Sequence, residues 1–242
     1  MIYLIFSDVH SNLEALQAFL EEAKKIPHDQ LVCLGDLVGY GPDPNPVIDL
    51  IKEKVDIVLA GNHDYAVCGK IKTSNFNPYA YHATIWTRKV LSEENQAYLN
   101  SLPIFLESEG IAWAHSSPFE PNRWHYLTSK EDALENFEVL KVELCFMGHT
   151  HKPLVFKEVS KGEVELLENL DIKLSQNSRY LINVGSLGQP RDGNPEPCFI
   201  QFDSVTKELK FHRFSYLLKE TQRKIHTNGL PSFLAERLSQ GL

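Results

Sequence analysis

Five short segments of this 242-residue chain concentrate the residue types that bind metal ions or move protons. Asp8-Val9-His10, Gly35-Asp36, Gly61-Asn62-His63-Asp64, His115 and Gly148-His149-Thr150-His151 supply carboxylate, amide and imidazole groups without a thiolate. Oxygen and nitrogen donors of this kind suit Mn²⁺, Fe or Zn²⁺ better than copper or an iron–sulfur cluster. Asp8, His10, Asp36, Asn62, His115, His149 and His151 are too many donors for one tetrahedral ion. They fit two ions that share a ligand, and a carboxylate such as Asp36 has the two oxygens a bridge needs. Taken singly, the segments are ordinary. Asp-x-His is commonly a surface pair, Gly-Asp a turn, and a lone histidine a hydrogen-bonded core residue. Their common setting is what distinguishes them.

Each segment follows a short apolar run: Ile2–Phe6, Leu31–Leu34, Ile57–Ala60, Ile111–Ala114 and Leu144–Met147. Between the first three runs lie stretches with helical spacing, Ser11–Lys25 (Leu13, Leu16, Phe19, Leu20) and Pro46–Lys54. This alternation implies βαβ units whose parallel strands are buried on both faces. Open α/β sheets bind ligands at the C-terminal ends of their strands. All five segments fall at such ends, and they hold five of the ten histidines. Donors one residue apart, as in Asp8/His10 and His149/His151, are expected to face the same side beyond a strand end.

Residues 77–100 read as helical, with Ser92-Glu93-Glu94 as a cap and first turn. After Leu102 the pattern turns to strands at Ile104–Leu106, Leu154–Val159, Val164–Leu167, Tyr180–Asn183, Cys198–Phe202 and Leu209–Phe214. Lys161-Gly162 marks a hairpin turn, and Gly39–Pro46 a rigid loop. Tyr216–Leu242 reads as two helices broken at Gly229-Leu230-Pro231. Without a linker or repeat, residues 1–242 are expected to form one domain.

The five segments resemble the five motif blocks of the calcineurin-like metallophosphoesterases, and look closest to the small prokaryotic phosphodiesterase-like branch. The likeness runs to about residue 190 and includes Asn183-Val184-Gly185-Ser186 and Gly188-Gln189-Pro190-Arg191-Asp192. It implies a four-layer α/β/β/α sandwich with two mixed central sheets. It also implies that Asp8, His10, Asp36 and His151 hold one divalent ion, and Asp36, Asn62, His115 and His149 the other. His63 would face the substrate as general acid, with Asp64 positioning its ring, while hydroxide held between the ions attacks phosphorus. Manganese is the favoured ion, with iron or zinc as alternatives. Relatives often carry glycine after the histidine of the fourth block. Here it is Ser116, a side chain that would narrow the site.

The expected activity is hydrolysis of a small phosphodiester. A phosphomonoesterase and a nucleotide or dinucleoside-polyphosphate hydrolase are the enzymatic alternatives, and an inactive scaffold of the same fold the non-enzymatic one. All seven ligands and His63 are present, which disfavours the scaffold. Arg123, His125 and Arg191 lie near the metal blocks as candidate phosphate contacts. Tyr40 could stack on a substrate ring or simply pack; Trp86 and Trp113 read as core, and Trp124 as a candidate rim residue. Position alone makes residues 65–106 a candidate cap, with the helices of residues 216–242 on a sheet face or a neighbouring subunit.

Twenty-four basic against 32 acidic residues give a net charge of −8, which disfavours a nucleic-acid polymer or an anionic membrane as partner. Two divalent ions would still make the pocket locally cationic. Four cysteines without a CxxC pair argue against a disulfide framework or thiolate zinc site. The first apolar run is too short to span a membrane and lacks the basic flank of a signal peptide, so a soluble, cytoplasmic protein is expected.

Overall fold

The computed structural model describes all 242 residues. β1 (Ile2–Phe6), β2 (Gln30–Cys33) and β3 (Ile57–Val58) pair in parallel, linked by α1 (Leu13–Ala23) and α2 (Pro44–Lys54). β1 shows why its apolar run does not alternate with polar residues. Leu4 and Phe6 pack with the residues of α1 and α2, whereas Tyr3 and Ile5 join a second core that includes Trp113, Phe146 and Ile182. Both faces are buried, so both must be apolar.

The second half of the chain extends this sheet and builds another. β4 (Phe105–Ser108), β5 (Ile111–Ala114), β6 (Leu144–Met147), β10 (Arg179–Val184), β7 (Pro153–Ser160) and β8 (Glu163–Leu166) form the second sheet in that order. Within it β5, β6 and β10 are parallel. β11 (Cys198–Asp203), β12 (Glu208–Arg213) and β9 (Ile172–Lys173) add antiparallel to β1, completing the order β3-β2-β1-β11-β12-β9. Two six-stranded mixed sheets thus face each other. Between them the Phe146 ring lies 5.4 Å from Trp113 and 5.3 Å from Phe202, centre to centre. The outer face of the second sheet is covered by α6 (Lys130–Val139) through Ala133 and Phe137. The arrangement is the expected four-layer α/β/β/α sandwich.

Local sequence explains most of the remaining elements. The stretch 77–100 forms two helices, α4 (Pro78–Val90) and α5 (Glu93–Ser101), and Ser92 caps the second by accepting the Asn95 N–H at 3.2 Å. Gly162, with φ +85°, turns the hairpin between β7 and β8. α6 lies in a stretch the sequence reading left without an element, although Ser129 and Asp132 form a capping box there. α3 (Asn62–Val67) was likewise hidden, because Gly61-Asn62 reads as a turn. Trp113 is fully buried, and Trp86 is partly buried against a smaller cluster.

At the end of the chain, α7 (Leu218–Thr227) and α8 (Ser232–Glu236) flank the expected break at Gly229-Leu230-Pro231. Their Ile225 and Leu234, with Leu238 just beyond α8, pack with Tyr40, Ala80 and Ala83. Lys224 pairs with Glu14 at 2.5 Å and Asp43 at 2.9 Å, tying α7 to the start of α1 and of α2. No helix is long and apolar enough to cross a membrane.

Phe146→Ala removes a side chain with no exposed surface from between the sheets. It is expected to lower stability by about 3–5 kcal/mol. The change is read as a shift in the urea midpoint at constant slope.

Candidate metal centre

The parallel strands of both sheets end at the same edge of the sandwich, and the five segments meet there. Asp8 and His10 follow β1, Asp36 follows β2, Asn62 opens α3 after β3, His115 follows β5, and His149 and His151 follow β6. Two clusters form, Asp8/His10/His151 and Asp36/His115/His149, with the donor atoms of each within 4.8 Å of one another. Each cluster draws on both sheets.

Backbone strain aims the side chains. Asp8, His10, Asp36, His149 and His151 all have φ between 49° and 66°, the left-handed region that non-glycine residues rarely occupy. Such a conformation costs about 1–3 kcal/mol per residue and persists only where the surroundings impose it. Of the two pairs spaced one residue apart, Asp8 and His10 share a cluster as expected, whereas His149 and His151 do not. Donors one residue apart were expected to share a side through extended alternation, but the backbone turns sharply at each of them. His149 and His151 consequently enter different clusters. Gly61 makes room for this packing, because a Cβ there would overlap the Asp36 carboxylate.

The hydrogen bonds of the rings fix their tautomers. His10 Nδ1 donates to the Val38 carbonyl at 3.0 Å, His115 Nδ1 to Leu34 at 3.0 Å and His151 Nδ1 to Gln189 at 2.6 Å. His149 is reversed: its Nε2 donates to the Trp124 carbonyl at 3.0 Å, which turns Nδ1 towards the site. A ligating histidine is typically held in this way through its other nitrogen. The consequence is sharpest for His10 and His151, whose Nε2 atoms lie 3.1 Å apart. Burial holds both rings below their ordinary pKa, hence neutral. With both protons on Nδ1, two lone pairs face each other.

Other acceptors at the site are equally short of partners. Asp8 Oδ1 and Asn62 Oδ1 are buried without a hydrogen bond. Asp36 Oδ2 lies 3.3 Å from His115 Nε2 and 3.7 Å from His10 Nε2, so one oxygen faces a histidine of each cluster. The second oxygens of both aspartates are fixed by main-chain amides, Asp8 Oδ2 by His149 and Asp36 Oδ1 by His63. An unsatisfied buried polar group costs about 1–3 kcal/mol. Cations are the groups that satisfy all these acceptors together, and the donor set fits two divalent ions.

Both carboxylates are held ionised, whereas His115 keeps a proton that a cation would have to displace. Burial would raise the Asp8 and Asp36 carboxyls, yet His151 beside the first and His115 beside the second hold both well below the usual range. Burial alone would depress His115, but the Asp36 carboxylate overrides it and lifts the imidazole to about 9. Burial and the charge of His115 push His149 down to about 3.

His63 and Asp64 occupy the first turn of α3. Burial takes His63 down to about 4 despite the nearby Asp36 charge, and its Nδ1 has no partner. The expected contact from Asp64 is absent. Asp64 instead accepts the amides of Val38 at 3.1 Å, Leu37 at 3.2 Å and Gly61 at 2.8 Å. Consecutive helical residues point in different directions, so Asp64 pins the loop after β2 and leaves the His63 ring alone. Burial raises Asp64 to about 7, with the charge of Asp36 adding to it and the amides opposing it.

The clusters open into a cleft of about 620 Å³ whose lining includes His63, His149, Phe76 and Trp124. Arg123 and His125 line its mouth, and His125 faces Glu120 at 3.3 Å. Residues 65–106 contribute Phe76, 4.9 Å from the His63 ring, and Ala80 to this lining. Tyr40 also reaches the cleft, but its ring is 5% exposed and packs against His63 at 4.6 Å and His10 at 4.8 Å. Little of it remains for a substrate to stack on. Ser116 turns its hydroxyl to the Pro121 carbonyl at 3.4 Å, bracing the loop that carries Trp124. Sequence reasoning missed Tyr126, stacked on His149 at 4.2 Å, and Phe76; neither lies in a motif.

The family model for calcineurin-like phosphoesterases matches residues 1–153. An uncharacterised protein of Methanocaldococcus jannaschii is 39% identical over 242 residues, 98% of this chain and 97% of that protein. The crystal structure of a metallophosphoesterase from Sphaerobacter thermophilus shares 38% identity at a TM-score of 0.89, covering 100% of this chain and 99% of the other. A hypothetical protein from Pyrococcus horikoshii has the same fold, with a TM-score of 0.80 at 20% identity over 100% and 98% of the two chains.

Two outcomes are expected. A proton on His115 competes with a cation, so metal affinity rises with pH towards about 9 and loading near neutrality releases protons. Calorimetry in buffers of different ionisation enthalpy reads that release; an affinity independent of pH would contradict it. Asp64→Asn sets an amide donor against main-chain N–H groups and is expected to cost about 1–3 kcal/mol, seen as a lower melting temperature.

Proposed function

The chain belongs to the calcineurin-like phosphoesterases, and from that premise we propose that it hydrolyses a small phosphodiester. It is a metal-dependent phosphoric ester hydrolase with two candidate metal-binding clusters. Our reading assigns Asp8, His10, Asp36 and His151 to one ion and Asp36, Asn62, His115 and His149 to the other. Manganese is the proposed ion. The observation that carries the reading is the facing pair of His10 and His151 lone pairs, with Asp36 Oδ2 reaching both clusters.

When bound, neighbouring divalent ions supply Lewis acidity, polarising a phosphoryl oxygen and lowering the pKa of water. The chain's own residues do the rest. The imidazoles, locked through their outward nitrogens, hold the donor set without reorganisation. His63 is the proposed proton donor to the leaving oxygen. Its Nδ1 is buried, so Nε2 is the nitrogen on the cleft side. At neutral pH the ring is neutral, and an anionic phosphate in the cleft opposes the burial that keeps it so. Arg123 at the mouth and Arg191 beside Tyr40 are proposed to meet substrate charge. Phe76 and Trp124 give the cleft apolar walls for the organic part of an ester. We further propose a cytoplasmic setting.

Mn²⁺-reconstituted protein is expected to turn over bis(p-nitrophenyl) phosphate faster than p-nitrophenyl phosphate. The reverse order would make it a monoesterase. His63→Ala should retain its metals and lose about 10²–10⁴-fold on esters with alkyl leaving groups, and much less on nitrophenyl esters. An equal loss on both would remove His63 from proton transfer.

A further inference from the structure

In a chain of net charge −8, most arginines have a partner. Arg179, Arg213 and Arg223 pair with Glu158, Asp192 and Glu220, and Arg88 donates to the carbonyls of Ala66 and Val67. Arg123, Arg191 and Arg237 have no Asp or Glu partner, and all three border the metal cleft or the Tyr40 ring in its wall.

Arg191 and Arg237 are the two that are partly buried. Their guanidinium carbons lie 5.5 and 5.9 Å from the centre of the Tyr40 ring, which itself contacts His10 and His63. Each is held from behind. Arg191 donates Nε and Nη2 to Gln189 Oε1 at 3.2 and 2.7 Å, and its main-chain N–H donates to the His151 carbonyl. Arg237 donates Nε to the main-chain oxygen of Leu242, the last residue of the sequence, at 2.6 Å and lies over Phe233. Nη1 of Arg191 and both terminal nitrogens of Arg237 are left without a protein acceptor. Two like charges drawn partly out of water beside one ring repel each other. Burial, and next the charge of Arg191, push Arg237 down to about 10. A planar fork of N–H donors is suited to a phosphate, which would neutralise both.

We propose that Arg191 and Arg237 form a second anion subsite beside the metal clusters, which takes a further phosphate group carried by the substrate. The substrate class is then a phosphate ester bearing a second phosphate a short chain away, a bisphosphate or polyphosphate. The inference rests on the hydrolytic reading of the metal clusters and refines the role of Arg191 there. Both arginines lie beyond residue 153, where the family match ends. The site thus combines metal ligands from the matched part with a specificity element from the C-terminal part.

The test is calorimetric binding of propane-1,3-diol bisphosphate and of propyl phosphate to the Mn²⁺-loaded protein. The bisphosphate is expected to bind at least about tenfold tighter, and Arg237→Gln to bring the ratio close to one. Taking the ratio cancels any general loss of affinity. Arg237→Lys keeps the charge and should retain part of the preference. Arg223→Gln removes a charge from an ion pair on α7 and should leave the ratio intact. Arg191→Gln provides the same readout should the Arg237 variant fold poorly. A ratio near one in the unmodified protein, or a preference untouched by both glutamine variants, overturns the subsite. Hydrolysis of bis(p-nitrophenyl) phosphate is scored separately. Turnover without a bisphosphate preference removes only the subsite, and a preference without turnover removes the hydrolytic reading.

Discussion

Two neutral, buried imidazoles whose unprotonated nitrogens lie 3.1 Å apart repel, and the His10–His151 pair is built to keep them there. A tautomer shift could relieve the contact only if one ring released the carbonyl that binds its Nδ1, Val38 for His10 or Gln189 for His151, and an added proton would have to charge a ring that burial holds neutral. A cation relieves it without that loss. Asp8 Oδ1, 3.2 Å from His151 Nε2, adds a third acceptor to the same small volume. An arrangement so costly on its own is maintained by the rest of the fold, and much of the surrounding geometry can be read as support for it.

That support comes from both sheets at once. His10 arrives on β1 and His151 after β6, so the inter-sheet core of Tyr3, Trp113, Phe146 and Phe202 sets how close the two rings come. Close packing transmits small displacements, so a shift between the sheets would act on the clusters directly. Left-handed residues beyond the strand ends then turn the donors inward within two to four residues of each strand. Asp64 completes the frame by binding the amides of Leu37, Val38 and Gly61, which joins the loops after β2 and β3.

The sequence made every strand but the two-residue β9, and the seven metal-ligand candidates, legible because both obey local rules. Apolar runs buried on two faces cannot hide, and donors placed just after them inherit their position from the strand. The helix of residues 130–139 was missed although its capping residues Ser129 and Asp132 stood in view, because its apolar face is narrow. The role of Asp64 was misjudged for a different reason. Adjacency to His63 suggested contact, whereas the helical first turn of α3 separates their directions and long-range amides claim the carboxylate. Phe76, Tyr126 and Arg237 are set by tertiary packing alone, and their spacing in the chain carries no signal of the cleft.

Asn12 shows why the C-terminal helices belong to the site rather than to its periphery. Two residues after His10, it caps α1 by accepting the Ala15 N–H at 3.1 Å and donates to the Gly188 carbonyl at 2.9 Å. The Thr221 hydroxyl of α7 lies 3.0 Å from the same Asn12 oxygen and 2.8 Å from Glu14, which Lys224 also holds, and shares its one proton between them. The loop bearing His10, the loop leading to Arg191 and the helix leading to Arg237 therefore share one buried joint. Glycine at position 188 lets them close on it, since a Cβ there would collide with the Val9 carbonyl. Movement of α7 would then be felt by the loop that carries His10 and by both arginines, which couples the candidate metal clusters mechanically to the proposed subsite.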